Sequence, residues 1–220
     1  MRNFRVLHGI LVHVSTKPSA STPPPSGKVP RAVGTAQGRA SLMLHALIYL
    51  IFGIITVFVQ TPDNVFTKIL LGLWMLALGT SHALTARGMH YGPATSASLS
   101  STALVQAASG ALLVIMPDTL ALIILAVCAG SGLPGLIKLL LGMRYRSAVA
   151  VWRDWVLEGG VLLAVALILP FVGEIGAKAT LGVPGGGALI IGVFLLVGSL
   201  GQMRKRALTE QNPSSQSLRF

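Results

Sequence analysis

Charge is scarce in this chain. Asp, Glu, Lys and Arg together make up 10% of its 220 residues, against roughly 25% in a soluble domain. Acid is scarcer still, with 6 Asp and Glu beside 17 Lys and Arg. There is one cysteine, Cys128, so no disulfide framework exists. These shortages exclude an ordinary soluble domain, a disordered chain and a disulfide scaffold. What the chain has instead is apolar: 53% hydrophobic residues and a mean hydropathy of +0.75. Residues 1–40 and 204–220 are polar, which concentrates that content between them.

A bilayer core of ~30 Å needs ~20 apolar residues in a helix. Six stretches qualify, at about 41–60, 65–86, 98–116, 119–143, 152–172 and 178–203. The first, third and fifth breaks are short and carry turn chemistry: Thr61-Pro62-Asp63-Asn64, Pro117-Asp118-Thr119 and Gly173-Glu174-Ile175-Gly176. Proline stops a helix and Asp or Asn caps the next. The second and fourth breaks, 87–97 and 144–151, are longer and basic. The expected fold class is therefore all-α: a polytopic membrane protein with six transmembrane helices in three hairpins. No dyad alternation suggests a barrel.

Orientation follows from counting cations. One face takes Arg2, Arg5, Lys17, Lys28, Arg31 and Arg39 of the N-tail, Arg87, the group Arg144, Arg146 and Arg153, and Arg204, Lys205, Arg206 and Arg219. Those are fourteen of the 17. The other face has only Lys68 and Lys178, and Lys138 lies inside a span. Both termini are expected to be cytoplasmic, and the net charge of +11 is mostly this topology signal. A nucleic-acid partner is not expected, because no folded basic domain exists to bind one. Residues 1–14 read as an interfacial or disordered tail, with a signal peptide as the alternative. Residues 15–40 read as a Ser/Pro/Gly linker, and the C-tail 207–220 as polar and mobile.

An internal period of 56–57 residues runs through the membrane domain. Each first helix has two small residues seven apart: Ala46 and Gly53, Ala103 and Gly110, Gly159 and Ala166. Each second helix has the same device: Gly72 and Gly79, Cys128 and Gly135, Gly185 and Gly192. Seven residues are two helical turns, so each pair lies on one face. Small residues let membrane helices approach closely, which marks Gly53, Gly72, Gly79, Gly110, Gly135, Gly159 and Gly192 as packing positions. The repeats, about 41–87, 98–146 and 152–206, each hold two spans and so run parallel. That argues against an inverted-repeat transporter.

At this point a resemblance becomes specific. Gly110-Ala-Leu-Leu-Val-Ile-Met-Pro117 resembles the G-x6-P signature that closes first helices in the HdeD-like family of bacterial membrane proteins. Trp152-Arg-Asp-Trp155-Val-Leu-Glu158-Gly159 resembles that family's repeat opening, and the Arg clusters ending second helices (LLLGMRYR, GQMRKR) are similar too. The first and third repeats depart from the pattern, and the N-tail is outside it. The resemblance implies a six-span protein of the bacterial inner membrane linked to acid or envelope-stress tolerance, and it implies no catalytic residues.

Ionisable groups inside a span cost ~2.5–3.5 kcal/mol each on insertion scales. The repeat places them at equivalent positions: His45, Thr102 and Glu158 in first helices, His82, Lys138 and Leu195 in second helices. Distance from the loops puts His45 level with His82 and Lys138 level with Glu158, one to two turns inside the cytoplasmic boundary. Three readings stay open for these four. Lys138 snorkels and Glu158 is a solvated helix-end acid; the two form a structural tie; or the cluster is a protonatable site, with histidines that titrate between pH 5 and 8. Asp63, Asp118 and Glu174 form an acidic ring at the far mouth; cap and turn roles explain Asp63 and Asp118, with cation binding by the ring as the alternative. Pro134 and Pro184 suggest kinks or local unwinding.

The chain has no Walker motif, no H-E-x-x-H and no nucleophile with a placed base, so neither an enzyme nor a metal or cofactor site is expected. Two further functions stay open beside the stress-tolerance reading. One is a small transporter or channel using the polar cluster. The other is an accessory subunit meeting partners, or a second copy of itself, through exposed Gly/Ala faces.

Overall fold

A computed structural model of the chain describes residues 36–88, 93–146 and 152–211. Expectations for residues 1–14 and for most tail cations fall outside these. The described residues form six helices: α1 (Ala36–Phe58), α2 (Asn64–Gly88), α3 (Pro93–Ile115), α4 (Leu120–Arg144), α5 (Trp152–Val172) and α6 (Ala177–Gln211). A single 3-10 turn, Gly173–Ile175, joins the last two. No strand occurs among the described residues. All six helices are long and apolar enough to cross a membrane, and the chain is a multi-pass membrane protein.

Several boundaries differ from expectation. Helix α3 begins at Pro93, five residues early, because proline suits a first helical turn and the Ala/Ser/Thr run behind it is helical without being strongly apolar. Helix α1 takes in the last residues of the expected linker, and α6 runs past 206 to Gln211. The unwinding anticipated at Pro134 and Pro184 does not occur; both lie inside continuous helices.

The large apolar side chains face outward as well as inward. Ile115 and Phe171 are 80% and 83% exposed, which suits a surface solvated by acyl chains and not by water. The six helices close into a ring. Each touches its sequence neighbours, and α6 returns to α1. The closest pairings are not within the expected hairpins. They join α2 to α3, α4 to α5, and α6 to α1.

The glycines explain these pairings. A methyl group built on Gly79 would lie 2.7 Å from the Ala107 nitrogen and 2.8 Å from the Ala103 oxygen. On Gly135 it would lie 2.8 Å from the Leu163 nitrogen and 2.9 Å from the Gly159 oxygen, and on Gly192 3.0 Å from the Leu50 nitrogen. Further along the same seams, a methyl on Gly110 would meet the Gly72 oxygen at 2.7 Å, one on Gly72 the Gly110 oxygen at 3.0 Å, and one on Gly53 the Gly185 oxygen at 3.0 Å. Backbone therefore lies against backbone at each crossing, with no room for a side chain. The three approaches Gly79–Ala107, Gly135–Leu163 and Gly192–Leu50 are related by steps of 56–57 residues in both partners.

Gly176, between the 3-10 turn and α6, has φ 139°. That backbone is strained for any residue with a Cβ, at a cost of order 1–3 kcal/mol. A Gly176→Ala protein is expected to melt earlier in detergent, although a methyl there would meet nothing within 4 Å. An unchanged melting temperature would remove the conformational argument.

Candidate functional site: a buried polar network

The four ionisable residues singled out above come together in the termini-bearing half of the ring. His45, His82, Lys138 and Glu158 are 6%, 4%, 1% and 4% exposed. Lys138 Nζ lies 2.5 Å from Glu158 Oε1 and 2.5 Å from His82 Nε2. The histidine rings of α1 and α2 are 4.4 Å apart between centroids. Snorkelling is not what Lys138 does, and Glu158 is not a solvated acid. Both are turned to the centre, where each is the other's counter-charge.

Three further residues belong to the network: Tyr49, Gln106 and Ser81, whose hydroxyl lies against His45. Tyr49 donates its hydroxyl to Glu158 Oε1 at 2.7 Å, and Gln106 Oε1 lies 2.6 Å from His82 Nδ1. Sequence reasoning passed over Tyr49 and Gln106 because neither is ionised at neutral pH. A signal was present: each lies one helical turn after a marked position, His45 or Thr102, and the two are 57 apart. Five helices thus contribute: α1 (His45, Tyr49), α2 (Ser81, His82), α3 (Gln106), α4 (Lys138) and α5 (Glu158). Helix α6 presents the buried Leu195 instead. Thr102 is buried but gives its hydroxyl to its own helix, at the Leu99 oxygen.

Elementary hydrogen-bond chemistry fixes the protons around His82. An ammonium group only donates, so His82 Nε2 accepts from Lys138, and the ring proton sits on Nδ1, facing the Gln106 oxygen. His82 is neutral in this arrangement, and Lys138 and Glu158 cancel. His45 is placed differently. Its Nδ1 is 2.9 Å from the Ser41 backbone carbonyl oxygen, which only accepts, so that nitrogen carries a proton. Its Nε2 is 3.2 Å from Ser81 Oγ. The Ser81 hydroxyl also has the Leu78 oxygen at 2.9 Å, so it sits between two acceptors. The Ser41 and Thr85 hydroxyls pair above it, toward the membrane boundary, and Thr85 donates to the Ser81 backbone carbonyl at 2.8 Å.

Beyond the network, toward the far face, the centre is filled. Phe52 stacks on Trp74 at 4.2 Å, and Met75, Leu78, Leu113, Val127 and Leu169 are buried with them. The far-mouth acids do not gather. Asp63 caps α2, its Oδ1 accepting from the Phe66 amide at 2.7 Å. Asp118 is exposed and precedes Thr119, the residue at the cap position of α4. Glu174 is exposed on the 3-10 turn. Among the described residues no group of three or more His, Cys, Asp or Glu is placed to hold a metal ion. Cys128 packs between helices, 3.4 Å from the Ala166 oxygen.

No family model, curated protein or solved structure matches this chain.

Proposed function

We propose that this chain is a non-enzymatic protein of the bacterial cytoplasmic membrane that supports acid or envelope-stress tolerance, as its HdeD-like resemblance implies. We read it as one helix pair present three times in parallel, with both termini cytoplasmic. The 56–57-residue step between equivalent glycine crossings supports the threefold reading, and the gathering of cations on the terminal segments and even-numbered breaks supports the orientation.

The observation that carries the functional reading is a charge-balanced network closed by apolar packing. Its geometry offers a proton-sensitive lock on helix packing. A proton added to His82 Nε2 would face the Lys138 ammonium and break their bond. A proton added to His45 Nε2 would point at Ser81, which can pass its own hydrogen to the Leu78 oxygen. Acidification thereby changes the charge at the centre of five helices while the protein performs no chemistry on a substrate. A strain lacking this protein and complemented with His45→Ala/His82→Ala is expected to survive an acid challenge at least about tenfold less well than one carrying the natural sequence. Equal survival, with equal protein in the membrane, would sink the reading.

One observation favours a second reading, a small proton or ion carrier. Thr67 Oγ1, Trp74 Nε1 and Ser131 Oγ are buried without a hydrogen-bond partner, and buried polar groups of this kind are satisfied by internal water. Proton flux measured in proteoliposomes separates the two: the lock predicts no flux above lipid background, and the carrier predicts flux lost on Glu158→Gln.

A further inference from the structure

At the far end of the α1–α6 seam a cavity of about 320 Å³ opens between the end of α1, the connection to α2 and the first turns of α6. Gly182 and Gly186, one turn apart, line it and are exposed, and a methyl group on either would meet nothing within 4 Å. Gly185 and Gly192 of the same helix differ. Methyl groups there run into Thr56 and Leu50 of α1. Helix packing therefore accounts for Gly185 and Gly192, whereas Gly182 and Gly186 leave a groove.

The groove has two ends of different character. Val57, Val59 and Leu181 make its walls apolar, while Gln60 and Lys178 lie at its outer end. Helix α1 ends at Phe58 and α6 starts at Ala177, so Lys178 sits at the membrane boundary. Gly186 lies eight residues further along α6, ~12 Å deeper at 1.5 Å per residue. Lys68, the other cation of this face, is committed to the Met116 oxygen at 2.7 Å. Lys178 makes no hydrogen bond or ion pair among the described residues. The nearest acid in sequence, Glu174 four residues earlier, makes no ion pair with it, and Asp63, beside the lining Pro62, is turned to the Phe66 amide.

A groove on a bilayer-facing surface is filled by lipid, and a free ammonium at its boundary end selects the headgroup. We propose that it holds one anionic phospholipid of the leaflet opposite the termini, an acyl chain lying along Gly182 and Gly186 and the phosphate on Lys178 with the Gln60 amide donating beside it.

Native mass spectrometry of the full-length protein, released from nanodiscs of equal phosphatidylglycerol and phosphatidylcholine, tests this. One phosphatidylglycerol per chain is expected to be retained about fivefold over phosphatidylcholine, which is what ~1 kcal/mol from one lysine at an anionic surface gives. Lys178→Gln is expected to lose the preference and keep a lipid. Gly182→Leu/Gly186→Leu is expected to lose the lipid while melting as the natural protein does. Lys68→Gln is expected to change neither. Equal retention of both lipids, a preference that survives Lys178→Gln, a lipid held by the filled groove, or displacement by millimolar inorganic phosphate would each overturn the assignment, the last by making the site one for a soluble anion.

Discussion

Replacing Glu158 by leucine is expected to cost the folded protein about 3–5 kcal/mol, the usual penalty for stripping a buried charge of its partner. The substitution leaves the Lys138 ammonium, 1% exposed, with His82 alone. It also orphans the Tyr49 hydroxyl. Lys138→Met is expected to be nearly as severe, because Glu158 then keeps only Tyr49 and a neutral His82, 3.5 Å away. The informative variant is the double one. Lys138→Met/Glu158→Leu removes both charges, and what remains unpaired is polar and neutral, at ~1–3 kcal/mol per group. Its loss of thermal stability in detergent is expected to fall short of the sum of the two single losses by roughly 1–3 kcal/mol. Simple additivity would show that the two groups do not hold one another.

The second large effect separates two adjacent residues. A methyl on Gly159 would sit 2.6 Å from both the Gly135 oxygen and the Leu139 nitrogen, whereas one on Gly160 meets nothing within 4 Å. Gly159→Ala must therefore push α4 and α5 apart, backbone from backbone, at a cost of about 1–3 kcal/mol for overpacking. Gly159→Leu is expected to prevent a stable fold. Gly160→Ala is expected to be neutral or stabilising by up to ~1 kcal/mol, since alanine is the better helix former. Monodispersity and melting temperature after detergent extraction read both. Equal behaviour of the two alanine variants would refute the close approach of α4 and α5.

Much of this was legible in the residues because it is local. Hydropathy locates a span without reference to any other span, and Pro-Asp turns locate where it reverses. The seven-residue spacing of small residues identified the faces that come closest, and distance from the loops put Lys138 level with Glu158. What stayed hidden was which face meets which. Gly79 and Gly135 name a packing surface, but whether it meets the hairpin partner or the next hairpin depends on how the ring closes, a property of all six helices at once. Hydropathy also missed the start of α3, where helix formation runs ahead of apolar content. Tyr49 and Gln106 were passed over because a search for charge does not register neutral donors and acceptors, although a buried carboxylate and a buried imidazole need them. Leu195 makes the complementary point: a repeat predicts a position, and the residue occupying it decides whether the position takes part.

The pairing of the first helix with the last has a consequence for how the protein is made. As the chain leaves the ribosome, α3 can lie against α2 as soon as it is inserted, and α5 against α4. Helix α1 meets α2 early, through the Phe52–Trp74 stack and the paired histidines, but its closest pairing is with α6. The face bearing Leu50 and Gly53 must wait in the bilayer until α6, with Gly185 and Gly192, has been synthesised. Closure of the ring therefore waits for the last helix, and a chain cut short before α6 carries an open seam along its oldest helix.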